Sequence, residues 1–420
     1  MRAAGHCNPA GSGALSAIMN AAADLPADDS QKRRARRNVG LLAICQALYM
    51  SGTSLVLTVT ALAGASLTPN PILATLPLSL QFIATMAATI PASLFMRRYG
   101  RRAGFALGAA SGILGAGLSL LALLRHDFLL FCLGALLIGV LNGCAAFYRF
   151  AAADSADPAF RAKAISLVMA GGVVASFIGP NLARLGVDSV AGALYAGSFA
   201  LLAGVHLLTL LLLSGIDIPK PAAAGPGQGG APWRAILRRP PLLVAMFAGV
   251  AGYAGMNLVM TATPLSMVGH HHHFDQAATV IQWHVFAMFA PSFFTGHLIA
   301  RFGVHAVIAA GALLILACIG VNLSGVAFAN YIVALVLLGV GWNFMFIGAT
   351  TLLTSTHDTA EKARIQGLNE FAIFGAVALA SLASGAVQHQ MGWMFVNLSV
   401  APLVLGALVA VLWLKFRATN

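Results

Sequence analysis

Four side chains with soft or intermediate donor atoms recur at helical spacing in the second half of this 420-residue chain. Met256 and Met260 are four residues apart, and so are His284 and Met288, so each pair falls on one face of a helix. Thioether and imidazole groups are neutral ligands that suit copper, above all Cu(I), better than magnesium, calcium or manganese. The pattern therefore indicates a copper site, with ordinary methionine packing as the alternative.

Four consecutive histidines lie between these two pairs, in a loop that also contains Ser266 and Asp275. Imidazole is a good copper and zinc ligand, so the loop can gather cations at the mouth of a path. A pH-sensitive gate and a freely solvated loop are the other interpretations of this segment. The histidines of the predicted capture loop are His270, His271, His272 and His273.

Cysteines and one acid complete the candidate polar groups inside apolar segments. Cys45 and Cys144 are possible extra soft ligands, with buried structural cysteines as the alternative. Glu370 is an acid within an apolar segment, and such acids are functional candidates for carrying a proton. The alternative for Glu370 is pairing with Arg149 or Arg364, and we interpret Arg149 as a gating residue.

The elements that must position these residues are membrane helices. Apolar residues make up 59% of the chain and charged residues 9%, against about 25% charge in soluble domains. Runs of 18 or more apolar residues, which are long enough to span a bilayer, recur almost from end to end. The sequence predicts an all-α membrane protein with twelve transmembrane helices in two six-helix halves. The predicted spans are 39–64, 72–95, 103–124, 128–149, 163–184, 189–214, 242–264, 277–299, 304–323, 329–352, 364–387 and 394–415.

The same pattern divides the chain into five parts. A disordered cytoplasmic tail without an apolar signal segment precedes the first half, and a linker rich in Pro, Gly and Ala separates the halves. A short amphipathic piece is predicted in that linker from Trp233 to Arg239. The predicted parts are the tail 1–38, the N-terminal half 39–214, the cytoplasmic linker 215–241, the C-terminal half 242–415 and the cytoplasmic tail 416–420.

The distribution of basic residues predicts the orientation. With the N-terminus in the cytoplasm, only Arg125 and Arg184 of the 24 Lys and Arg residues lie in outer loops. We therefore expect a multi-pass protein of the bacterial inner membrane with both termini cytoplasmic. The net charge of +12 is spread over short loops between apolar runs, which speaks against a nucleic-acid partner.

The two halves carry a repeated motif. Residues 97–102 read RRYGRR after the second span, and residues 296–303 read GHLIARFG after the eighth. Both resemble the motif G-x-L-a-D-R-x-G-R-[RK] of the major facilitator superfamily, in which a tight glycine turn is flanked by arginines. The aspartate of that motif is replaced by Arg97 in one half and by Ala300 in the other. Gly179-Pro180 in the fifth span is similar to a motif of exporters in that superfamily, although Gly-Pro also kinks a membrane helix.

A closer resemblance concerns the seventh and eighth spans. The Met256/Met260 and His284/Met288 pairs look like the MxxxM and HxxxM motifs of the CcoA-type bacterial copper importers, and residues 290–296 (APSFFTG) are similar too. The resemblance implies that copper crosses the inner membrane as a transported substrate, supplying assembly of cbb3-type cytochrome c oxidase. It also implies that these four residues bind the ion. We expect no resident cofactor.

Other functions remain open. An importer of an organic solute such as riboflavin is the main alternative, because Tyr253, Trp283, Phe286 and Phe289 could stack on a flat ring. A proton-driven drug exporter and a membrane copper sensor are further alternatives. No nucleophile elbow, phosphate loop, dinucleotide fingerprint or ATP-binding motif occurs, so we expect neither an enzyme nor an ATP-driven pump. The expected partners are a copper ion and the lipid bilayer, and the expected state is a monomer.

Overall fold

The computed structural model describes residues 29–155, 164, 167–218, 232–356 and 361–419. Within these residues the chain is helical, with short turns between the helices. The helices of the first half are α1 (Asp29–Leu67), α2 (Leu76–Tyr99), α3 (Arg101–Arg125), α4 (Phe128–Ala145), α5 (Tyr148–Ser155), α6 (Gly171–Val187) and α7 (Ala196–Leu213), with a 3-10 turn at Pro71–Leu73. Those of the second half are α9 (Pro240–Gly269), α10 (Phe274–Phe289), α11 (Ser292–Phe302), α12 (Val304–Leu323), α13 (Phe328–Thr354) and α14 (Lys362–Thr419), preceded by the short α8 (Trp233–Ile236).

The described helices account for the predicted number of spans. Ten of them are long and apolar enough to cross a membrane, and α10 with α11 forms an eleventh span bent by 45°. One of the ten, Ile365–Arg417, has 53 residues. At 1.5 Å per residue it is about 80 Å long, more than twice the bilayer core. It is interrupted by the non-helical Gly392 (φ 80°), so it contains two spans, and the twelve-helix fold is confirmed.

Several predicted boundaries differ from the structure. The first helix begins at Asp29, so the last ten residues of the predicted tail are helical. Arg34 and Asn38 both donate hydrogen bonds to the carbonyl oxygen of Asp217, at 3.2 and 2.7 Å. Asp217, about 180 residues away in sequence, therefore holds in place a polar stretch that hydropathy alone would assign to a tail. Residues 1–28 lie outside the described part of the chain.

Three further ends were placed wrongly. The seventh span continues as helix to Gly269 through Pro264, which removes the first residues of the predicted histidine loop. The sixth span begins at Ala196, because the chain before it turns through positive φ at Gly192 and Tyr195. The eighth span is broken before Ser292, since Pro291 has no N–H to continue the ladder of α10.

Single glycines join consecutive helices at equivalent places in the two halves. Gly100 (φ 95°, ψ 159°) separates α2 from α3, and Gly303 (φ 84°, ψ 153°) separates α11 from α12. A residue with a Cβ rarely adopts such angles, so glycine is required at both positions. The predicted glycine turns and the repeat between halves are thereby confirmed.

Side-chain packing follows the repeat. In the second half, α13 packs against α9, α10 and α12, and a large apolar core includes residues of all four helices. In the first half, α1 packs against α6 and α7, and α4 packs against α2 and α3. The halves meet where α10 packs against α6 and where α14 packs against α2. We call these two contacts, between α6 and α10 and between α2 and α14, the seams. They hold in place the residues that lie between the halves.

Candidate functional site

Four aromatic rings from three helices meet near the middle of the second half. Trp342 and Phe346 of α13 stack at 5.0 Å between centroids with an interplanar angle of 9°. Tyr253 of α9 meets them edge-on, at 5.3 Å from Trp342 and 5.5 Å from Phe346. Phe289, at the end of α10, lies 6.2 Å from Trp342. We call these four residues the central aromatic cluster.

The cluster faces the other half of the molecule. The Tyr253 hydroxyl is within electrostatic range of Tyr49 on α1 and of Glu370 on α14. A Cβ added to Gly172 of α6 would lie 2.7 Å from the Phe289 ring, so that helix approaches the cluster without a side chain in between. The cluster therefore borders the space between the halves, at the depth where carriers of repeated halves bind their substrates.

One polar group in the cluster has no partner among the described side chains. The indole Nε1 of Trp342 is buried and makes no hydrogen bond to the described residues, and the residue as a whole is only 6% exposed. A buried donor left unpaired is costly, so this N–H is available to donate to an acceptor on a bound molecule. The other three rings of the cluster are half-buried and can offer their faces or edges to a bound molecule.

Charged groups lie beside the cluster. Arg149 is within electrostatic range of both Tyr49 and Glu370. Its guanidinium stacks over the Phe150 ring at 4.9 Å, while Asn369 hydrogen-bonds to Glu370. The structure thus places the predicted gating pair, Arg149 and Glu370, in one neighbourhood. The side chain of Arg364, the alternative partner, lies outside the described part.

The predicted copper ligands occupy the core of the second half. Met256, Met260, His284 and Met288 are 1%, 3%, 0% and 7% exposed, and the three methionines belong to one apolar cluster. His284 Nδ1 is 2.7 Å from the Leu335 carbonyl oxygen of α13, while its Nε2 has no partner among the described groups. The two helices were expected to be direct neighbours, but α9 packs mainly against α14 and α10 packs mainly against α13. The imidazole and the thioethers therefore lie on helices whose main packing partners are other helices.

Three of the four histidines of the predicted capture loop have partners in the loop or on neighbouring helices, and His270 and His272 both contact Tyr331. His270 Nδ1 lies 2.7 Å from the Ser266 carbonyl oxygen, and His272 Nε2 lies 2.8 Å from that of Val326. His271 is exposed with a φ of 64°, and His273 caps the start of α10. Among the described residues, no group of three His, Cys, Asp or Glu side chains is placed to hold a metal ion. Loop and capping contacts thus involve His270, His272 and His273, whereas His271 is exposed.

The predicted extra ligands lie in the opposite half. Cys45 and Cys144 are buried in an apolar cluster that includes Tyr148 and Phe105. Residues of the methionine and histidine set belong to a different core, built from α9, α10 and α13. The structure therefore does not bring the cysteines and the methionines into one site.

The sequence did not predict two features of the candidate site, the Trp342–Phe346 pair and the contacts of Arg184. Trp342 and Phe346 carry no distinctive spacing, yet they form the stacked centre of the aromatic cluster. Arg184, noted only as an outer basic residue, reaches across from α6 to three residues of α10. Of the aromatic residues suggested for ring stacking, Tyr253 and Phe289 join the cluster, whereas Trp283 and Phe286 pack on Phe177 of α6.

Comparison with known proteins identifies the family. The model of the Major Facilitator Superfamily matches residues 42–371, which include the aromatic cluster and the seam between α6 and α10. The chain belongs to the major facilitator superfamily. It is therefore a multi-pass membrane protein of a transporter family, and its two halves carry the secondary-transporter fold.

Individual relatives add detail to the family likeness. The chain is 44% identical over 379 residues to the riboflavin transporter RfnT of Brucella anthropi, which covers 89% of this chain and 95% of that protein. It is 30% identical to the uncharacterized MFS-type transporter YdeG of Bacillus subtilis, over 93% of this chain and 94% of that one. Its fold is similar to the partially occluded inward open conformation of the xylose transporter XylE from E. coli (TM-score 0.70, 12% identity), with 90% and 97% of the two chains covered.

Proposed function

We propose that this superfamily member carries riboflavin, or a closely related flat heteroaromatic solute, into the cell. The observation that carries the proposal is the central aromatic cluster bordering the space between the halves. Aromatic rings in offset or edge-to-face contact contribute about 0.5–1.5 kcal/mol per pair beyond the area that they bury. Several such contacts would hold a flat ring system without covalent or metal chemistry.

The polar groups beside the cluster suit the rest of such a molecule. Riboflavin has a tricyclic ring with carbonyl oxygens and ring N–H on one edge, and a hydroxylated side chain. The unpaired Trp342 indole can donate to a ring carbonyl. Arg149 of the first half lies close to both Tyr49 and Glu370, so a polar group from each half is available to the hydroxyl groups of the solute. A pocket of apolar walls with a few convergent polar groups is typical of small-molecule sites.

The family likeness supports the same cargo. RfnT is a riboflavin transporter, and it aligns with most of this chain at 44% identity. The transport cycle proposed here is alternating access, in which the two halves rock about the central cluster. We propose inward transport, which uptake by intact cells would test directly.

Uptake of radiolabelled riboflavin by cells lacking their own carrier tests the proposal. We expect accumulation with the wild-type chain, and a KM raised about tenfold by Trp342→Ala, because two or three ring contacts are lost. Trp283→Ala is the matched control, since Trp283 is 40% exposed and packs on Phe177 instead. Absence of riboflavin uptake by a wild-type chain present in the membrane would refute the proposal.

Copper uptake is the second candidate, for which the buried Nε2 of His284 has no partner among the described groups. Replacing Met256, Met260 or Met288 by leucine removes the sulfur while keeping the volume, so packing changes little. If copper is the cargo, each substitution should lower copper accumulation at unchanged protein level and leave riboflavin uptake intact. Wild-type copper accumulation in all three variants would exclude these thioethers as a copper path.

A further inference from the structure

One guanidinium bridges the two halves at the end of the bundle that carries His270 and Gly392. We call this the outer end, following the orientation predicted from basic residues. Arg184 of α6 donates from Nη1 to Gln282 Oε1 at 3.2 Å, and from Nη2 to the Asp275 carbonyl oxygen at 3.2 Å and to the Thr279 hydroxyl. Its Nε lies 3.9 Å from the Asp275 carboxylate.

The acceptors share one face of α10. Asp275, Thr279 and Gln282 are spaced by four and three residues, so they line one stripe of the helix. Thr279 in turn donates to the Asp275 carbonyl oxygen at 2.7 Å, which fixes its hydroxyl as an acceptor for the arginine. Within α6, Asn181 Oδ1 accepts from Nη1 at 2.8 Å and holds the guanidinium in position. Any separation of α6 from α10 therefore breaks all the crossing bonds together.

Apolar and backbone contacts close the same end around this cluster. The rings of Tyr195 and Phe274, from opposite halves, lie 5.8 Å apart. Leu57 of α1 packs against the cores of both halves. On the other seam, the Thr75 hydroxyl donates to the Leu382 carbonyl oxygen at 3.3 Å. Arg184 and the exposed Asp275 carboxylate are thus the charged groups of a seal whose other described contacts are apolar or neutral.

We propose that Arg184 is the latch that holds the outer end closed, and that its release from α10 sets how often the carrier opens outward. The inference rests on the membership of the superfamily and not on the identity of the cargo. Hydrogen bonds from a charged donor are stronger than neutral ones, and here all of them exist in only one of the two conformations. A difference confined to one conformation shifts the populations directly.

A single cysteine at the seam reports the opening. In Leu57→Cys, a membrane-impermeant thiol reagent added from outside should react slowly, because the seam is closed. The four described native cysteines are buried. The chain without the added cysteine gives the background. Adding Arg184→Ala should raise the labelling rate on the order of tenfold, the effect expected when a charge-assisted cluster is removed.

Two further variants distinguish the proposed role of Arg184 from a general effect of lost charge or of lost folding. Arg125→Ala removes a basic residue that is exposed at the same end, and it should leave labelling unchanged. Arg184→Lys keeps the charge but not the fork of donors, so it should give an intermediate rate. Labelling after denaturation in detergent reports the amount of protein present. Equal rates for Arg184→Ala and Arg125→Ala, at equal protein level, would overturn the proposal.

Discussion

The two long faces of α10 differ in what they touch. One face, with His284 and Met288, is buried against α13 within its own half. The other face presents Thr279, Gln282 and Phe286 to α6 of the opposite half. The donor atoms that look chemically special lie on the face that stays within one half. The face at the seam uses ordinary hydroxyl, amide and aromatic groups, and it is this face that must change partners when the halves move.

The largest expected effect is a loss of stability from a substitution on the face of α10 that is buried against α13. His284→Ala removes a fully buried ring and its bond to the Leu335 carbonyl oxygen, and should lower the free energy of unfolding by about 2–4 kcal/mol. The thermal unfolding midpoint of the purified protein in detergent measures it. Trp283→Ala, next in sequence but on the exposed side, should have a much smaller effect. Unchanged stability together with lost copper uptake would instead make His284 a ligand.

The seam tolerates little added volume next to the aromatic cluster. A Cβ on Gly172 would lie 2.7 Å from Cγ of Phe289, which cannot move without disturbing Trp342. Gly172→Val should therefore cost about 1–3 kcal/mol of packing and reduce riboflavin uptake roughly tenfold. The control is Gly204→Val, since nothing lies within 4 Å of a Cβ there. Normal uptake by Gly172→Val would show that α6 can withdraw from the cluster at no cost.

The neutral acceptors of the seam should affect opening but not folding. Thr279→Val and Gln282→Leu each remove one acceptor from Arg184, worth about 1 kcal/mol. We expect each to raise labelling of the Leu57→Cys reporter about fivefold while the unfolding midpoint stays close to wild type. A drop in the midpoint without faster labelling would assign these side chains to stability alone.

The smallest effect is expected from the carboxylate of the seam. Asp275 Oδ1 is 3.9 Å from Arg184 Nε, and its side chain is 79% exposed, so solvent screens the pair. Asp275→Asn retains the backbone carbonyl that Arg184 uses and should change reporter labelling less than twofold. A large increase would mean that charge attraction, and not the hydrogen bonds to α10, closes the outer end.

Local sequence patterns were sufficient for the membrane fold. Hydropathy gave the twelve spans because every membrane-crossing segment must be long and apolar by itself. The repeated glycines after the second and eighth spans predicted the turns at Gly100 and Gly303, since positive φ is a property of one residue. Errors at Asp29, Ala196 and Gly269 arose where a partner elsewhere in the chain or a local turn set the boundary.

The site was harder to predict because it depends on which helices touch. Consecutive spans α9 and α10 were taken as adjacent, but α13, which follows them by two spans, packs against both. Trp342 therefore enters the central cluster, while Cys45 and Cys144 remain in the other half. Arg184 was visible as an outer charge, but its acceptors are a backbone carbonyl, a threonine and a glutamine, which carry no sequence signature.

The one-residue joints at Gly100 and Gly303 also have a mechanical meaning. The connection is one residue long and cannot lengthen, so a movement of the end of α2 also moves the start of α3. The same holds for α11 and α12. Each half therefore contains one such short connection at the same place, and the two can transmit movement between helices in the same way. Lengthening one connection by a few flexible residues would uncouple its two helices while leaving both helices intact.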